Sequence, residues 1–196
     1  MPSLLPQLAS DHRQRLLGAM ADAVRDDGLE RATVASVVAR ARTSRRTFYE
    51  HFADRDECFL ELFDLVGARL MAAISEAAEQ SGDASQRVRA AVGAFVAALA
   101  SDPALARACL RDTPTIGRRG DERIRAVDRR WAELIVAISA ETAAEDPRVR
   151  PLPIEVAVVI TGGLRNLTAR VLDDGGDVRR LEEIGADVTA RLLVAG

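Results

Sequence analysis

The stretch TVASVVARARTSRRTFYEHF, from Thr33 to Phe52, decides how this chain is read. Thr33 suits an N-cap, because its hydroxyl can accept from the free amides of a first turn, and Val34, Val37, Val38 and Ala41 follow on one face at helical spacing. A two-turn helix from about Val34 to Ala41 is expected. After Arg42 and Thr43, Ser44 can cap another short helix, in which Phe48 and Phe52 stand four apart and share a face. At about 100° per residue, Arg46 and Glu50 then point away from the Phe pair, flanked by Thr47 and Tyr49. Guanidinium groups can fork onto a guanine edge, and hydroxyls suit phosphates or base edges. Two short helices joined by a brief turn, behind a longer helix, make the helix-turn-helix arrangement.

Outward from this stretch the helical period continues. Upstream, Leu16, Leu17, Met20, Ala23 and Val24 form the stripe of a first helix from about Asp11 to Asp27, closed by Gly28. Downstream, Asp54 and Glu57 resemble a capping box opening a long fourth helix through Phe59, Leu62, Phe63, Val66, Leu70 and Ile74 to about Gln80. A fifth helix is expected from about Ala84 to Ala100, and a short sixth from Pro103 to near Arg111. A loop follows from Thr113 to Gly120, then a seventh helix from about Asp121 to Ala144 and an eighth from about Ile154 to Leu172. A ninth carries Leu181, Ile184, Val188 and Leu192. Little alternates as a strand would, so the class is all-α, with about nine helices. Residues 1–56, which hold the helix-turn-helix, read as one domain, and the longer helical part, 57–196, as a second.

Charge supports that division. All 27 basic residues are arginine, a bias that points to a GC-rich bacterial genome rather than to structure. Residues 1–56 carry nine Arg against eight acids, whereas 57–196 carry eighteen against twenty-two. Arg40, Arg42, Arg45, Arg46 and Arg55 crowd together with only Glu50 and Asp54 opposing them, a local basic patch on a chain of net charge −3. Cys58 and Cys109 sit in apolar runs without partners at metal-ligand spacing, and read as small buried hydrophobes of a reducing cytosol. The first ten residues lack a basic n-region, and the longest apolar run, Ala90 to Ala100, is too short to span a bilayer. A soluble, cytoplasmic protein with no membrane partner is expected.

Thr33-Val34, Ala39 to Ala41, Ser44 and above all Thr47-Phe48-Tyr49-Glu50-His51-Phe52, with Arg55 and a long helix behind it, resemble the DNA-binding domain of the TetR family of bacterial repressors. The close resemblance covers about residues 11–60, and the remainder matches in helix count, length and the apolar eighth helix. It implies that Arg45, Arg46, Thr47, Tyr49 and His51 face DNA, that Thr33 and Arg55 take phosphate-facing positions at helix N-termini, and that Ser44 belongs to the same contact set. Where the family commonly has glycine in the turn, this chain has Arg42, for which a left-handed backbone costs about 1 kcal/mol. Either the turn is remodelled or Arg42 reaches a phosphate.

The implied protein is a ligand-responsive transcriptional regulator, in the expected sense a repressor, bound as a homodimer to a palindromic operator on double-stranded DNA. Dimerisation falls to helices eight and nine, since the nearly continuous apolar run Val156 to Ile160 belongs to a segment normally buried on several sides. Wide apolar faces on helices five, seven and eight surround the short sixth helix and the 113–120 loop. They outline a cavity lined by Phe63, Phe95, Leu99, Leu110, Trp131, Ile135 and Leu164, with Arg165 or Asn166 as a polar anchor for a small, largely apolar effector. The same side chains closing into a solid core would leave a constitutive or architectural DNA-binding dimer. A helical-bundle enzyme is the remote alternative: the chain offers no catalytic constellation, no metal or cofactor motif, no Glu-x-x-His pair and no phosphate loop.

Overall fold

In a computed structural model that describes residues 12–193, nine α-helices follow one another. They are α1 (His12–Asp27), α2 (Val34–Arg40), α3 (Arg45–His51), α4 (Arg55–Glu79), α5 (Ala84–Ser101), α6 (Pro103–Arg111), α7 (Arg118–Glu145), α8 (Ile154–Asp173) and α9 (Arg180–Leu193), with a 3-10 turn at Thr113–Ile116. The chain divides into two compact units: residues 1–67 with 102–124, and residues 68–101 with 125–196. The helices α4 and α7 each run through a boundary between them.

The first unit is organised by its caps. The Thr33 hydroxyl accepts from the Ser36 amide at 3.1 Å while the Ser36 hydroxyl accepts from the Thr33 amide at 3.0 Å, a reciprocal box that starts α2. The helix ends in a Schellman turn: the Thr43 amide donates to the Val38 carbonyl at 3.0 Å, the Arg42 amide to Ala39 at 3.2 Å, and Arg42 takes φ 51°. The turn is therefore not remodelled to suit the arginine. Ser44 caps α3, accepting from the Thr47 amide at 3.0 Å. Asp54 accepts from the Glu57 amide at 2.7 Å, and Glu57 reaches back to the Ala53 amide at 2.6 Å, one residue beyond the usual box. Leu16, Met20, Val37, Phe48, Phe59 and Leu62 are completely buried.

One stretch departs from its sequence reading. Residues 113–120 are not a loop: the 3-10 turn ends at Gly117, whose φ of 76° suits glycine, and α7 starts at Arg118, three residues before Asp121. Gly120 lies inside the helix, where an added Cβ would overlap the Thr113 carbonyl, so it serves close packing rather than a turn.

In the second unit α5 packs on α9, and α8 also meets α9. Gly185 allows the approach, because a Cβ there would press on Val92 and Leu164. The buried Arg87 ties α5 to α7, donating to Glu145 at 2.6 Å and Thr142 at 3.3 Å. Ser139 accepts from the Leu152 amide at 3.0 Å and so pins the proline-containing connection before α8. The expectation that Val156 to Ile160 is enclosed on several sides is corrected for the single chain. Ala157 and Ile160 are buried, whereas Val158 and Val159 are 53% and 71% exposed, because the rest of the unit covers only one face of α8.

Both cysteines are free and buried, and burial pushes the Cys109 thiol up to about 12 and that of Cys58 in the same direction. Among the described residues no single helix is long and apolar enough to cross a membrane, and no group of three or more His, Cys, Asp or Glu could hold a metal ion.

Candidate nucleic-acid interface

The seven residues of α3 separate into two chemistries. Phe48 is fully buried and Phe52, which caps the helix, nearly so, with ring centroids 5.5 Å apart. Tyr49 stands edge-on to Phe48 at 5.5 Å yet is 56% exposed, so its ring is braced on one side while much of the residue stays open to solvent. Arg45 and Arg46 are exposed; Arg46 meets Glu50 at 3.2 Å, an open pair that water screens and a phosphate could displace. The Thr47 hydroxyl lies 2.9 Å from that of Ser44, which fixes both at the N-terminus of α3. His51 is half-buried at the other end, its ring stacked 6.5 Å from that of His12.

The basic patch is more selective than its sequence implies. Arg40 is held by Asp26 at 2.5 Å and Asp27 at 2.8 Å. Arg55 is half-buried; it donates to Asp56 at 2.5 Å and to the Leu29 and Ala32 carbonyls at 3.2 and 3.4 Å, which anchors the α1–α2 loop. Arg42 and Arg45 have no carboxylate partner among the described residues. Thr33, Arg42, Ser44, Arg45, Arg46 and Tyr49 are therefore exposed, while Thr47 and His51 are partly covered and Arg55 is half-buried against the α1–α2 loop.

Apart from Asp54 and Glu57, the residues that tie the first unit together are ones that the sequence did not single out. Asp102 caps α6, accepting from Leu105 at 3.1 Å, and also receives Arg25 of α1 at 2.7 Å. Asp112, at the end of α6, accepts from the Leu29 amide, and burial pushes its carboxyl above the usual range. Arg119 meets Asp54 at 2.9 Å, and Arg123 pairs with Asp64. Against the cost of its own burial, the Glu57 amide and Arg119 hold the Asp54 carboxyl below its ordinary value. Such pairs join positions far apart in the chain, and spacing alone carries no signal for them.

The residues expected to line an effector site fall in both units. Phe63 and Leu110 belong to the first, and Phe95, Leu99, Trp131, Ile135, Leu164, Arg165 and Asn166 to the second. Phe95 and Trp131 meet edge to face at 6.1 Å and are half-buried. Arg165 and Asn166 are exposed, and Arg165 lies 3.4 Å from Asp128, whose carboxyl is pushed up by burial and opposed by that arginine.

A helix-turn-helix with a polar, basic outer face, followed by a larger helical body, defines the class of DNA-binding transcriptional regulators. Residues 17–62 match the family model for bacterial regulatory proteins of the tetR family. That match covers residues 17–62 only, and the chain as a whole has the TetR-like fold. It is similar to the fatty acid degradation regulator FadR of Bacillus halodurans (TM-score 0.79, 16% identity, covering 93% of this chain and 96% of that one). It is also similar to FadR of Bacillus subtilis, solved in complex with stearoyl-CoA (0.76, 14%, 91% and 98%). A tetR-family regulatory protein from Rhodococcus RHA1 aligns at 0.69 with 19% identity, covering 96% and 100%. Curated protein sequences give no match.

Proposed function

We propose that the protein is a repressor that binds a palindromic operator as a homodimer and is released by a small, largely apolar effector. Residues 1–56 bind DNA, and 57–196 hold the effector and dimerise. The observation that carries the reading is the division of α3, with Phe48 sunk in the core and Arg45, Arg46 and Tyr49 standing out beside an Arg42 kept in a left-handed turn. Arg46 and Tyr49 read base edges or phosphates. Thr33, Arg42, Ser44, Arg45, Thr47 and His51 position the backbone, and Arg55 supports the loop beneath them.

A single reading helix covers too few base pairs to define a unique site, so a two-fold dimer is required. The exposed Val158 and Val159 of α8, with Ile184 and Val188 of α9, supply its apolar contact. The effector binds in the second unit near Phe95, Leu99, Trp131, Ile135 and Leu164. The stearoyl-CoA of the Bacillus subtilis neighbour makes long acyl compounds the first probes.

Selection of bound duplexes from a random pool tests the reading. Inverted half-sites about 34–36 Å apart, or a multiple of this, are expected. An unsymmetrical site, or binding without sequence preference, would overturn it.

A further inference from the structure

Of the 27 arginines, all within the described residues, only Arg25, Arg55, Arg69 and Arg87 are not exposed. Three of them meet carboxylates: Arg25 has Asp102 and Asp22, Arg55 has Asp56, and Arg87 has Glu145. Arg69, on α4, has no ion pair among the described residues, and its Nε is sealed from water without a hydrogen-bond partner. The side chain is half-buried and a guanidinium keeps its charge at every ordinary pH, so this partly desolvated cation lacks the carboxylate that the other three have. Burial alone draws its pKa down, and no neighbouring acid restores it.

Acids are not scarce, since the chain has 30. They are missing from this part of α4. The residues three and four away on either side are Leu65, Val66, Ala72 and Ala73, all apolar. Asp64 is taken by Arg123, and Glu76 accepts from Gln80.

We propose that Arg69 is the anchor for an anionic group, a carboxylate or a phosphate, carried on an otherwise apolar effector. Both oxyanions match the guanidinium fork, and the apolar residues beside Arg69 suit the rest of such a molecule. The inference rests on the reading that the protein holds a small-molecule effector.

The test titrates the full chain and Arg69→Gln with dodecanoate, dodecyl phosphate and dodecanol by calorimetry, and measures operator affinity in the same solutions. At least one anion binds the parent about tenfold or more tighter than the alcohol, as charge-assisted hydrogen bonds require, and Arg69→Gln removes the difference. Which anion wins distinguishes carboxylate from phosphate. Without ligand, Arg69→Gln melts no lower than the parent; should it not fold, Arg69→Met, which keeps the apolar stem, carries the same comparison.

Equal binding of alcohol and anions, an anion preference that survives in Arg69→Gln, or no binding of either anion would overturn the proposal. Anion binding that depends on Arg69 but leaves operator affinity unchanged would keep the anchor and overturn the effector reading.

Discussion

The helices α3 and α8 each bury one face and expose the other, but the exposed faces differ in what they cost. On α3 the outward groups are Arg45, Arg46 and Tyr49, which water solvates well, so the helix is stable with or without a partner. On α8 they include Val158 and Val159, and apolar surface left in water forgoes about 25 cal/mol for every Å² that a partner would cover. The first face suits a reversible, salt-dependent partner such as DNA, which charge recruits and counterions compete for. The second suits a lasting protein partner. A helix thus states through its unpaired face whether association is a function to be switched or a condition of stability.

The comparison breaks most visibly from beneath α3. Phe48→Ala removes the fully buried ring and is expected to cost about 3–5 kcal/mol of stability in denaturant titrations, abolishing DNA binding only by loosening the fold. Charging the α8 face comes next: Val158→Glu with Val159→Glu is expected to weaken self-association by about 2 kcal/mol or more in sedimentation equilibrium, while helix content stays unchanged. A monomeric parent at micromolar concentration would remove the basis for the α8 face altogether.

Arg46→Ala and Tyr49→Ala sharpen the comparison by testing the polar face alone. Each is expected to cost about 1–3 kcal/mol of operator affinity in gel-shift titration without lowering the melting temperature. Unchanged affinity in both would mean that α3 is not the reading helix. Arg42→Gly relieves the left-handed backbone and is expected to gain about 0.5–1 kcal/mol of stability, read by thermal melting. The same variant lowers the salt slope of binding by about 1 where Arg42 meets a phosphate.

The smallest effect belongs to Asp54, beneath this surface. Its folded carboxyl titrates below its unfolded value, so its contribution is present above the unfolded pKa and is lost as pH falls through the folded one. Asp54→Asn is therefore expected to flatten the acid limb of a stability-against-pH curve, and an unchanged limb would show that Arg119 and the Glu57 amide hold it only weakly.

Much of this surface was legible before any tertiary structure, because it is written within one turn of helix. The Ser44 cap, the shared face of Phe48 and Phe52 and the outward placement of Arg46 depend on neighbours three and four residues away, and the Arg42 turn is a local backbone choice. Spacing also located α6 and α8, since Pro103 and the proline connection before Ile154 punctuate the chain wherever it packs. Where partners are distant, spacing had nothing to offer. Arg40 and Arg55 look like members of one basic patch, yet Asp26 and Asp27 engage the first, and the Leu29 and Ala32 carbonyls of the α1–α2 loop engage the second. Asp102 meets Arg25 across 77 residues, and Gly120 reads as a loop glycine although it is the contact that lets α7 begin early. Local periodicity and capping determined the helices and the two faces of α3; only the packing of segments remote in sequence decided which arginines remain available, which carboxylates hold them, and that Arg69 is left without one.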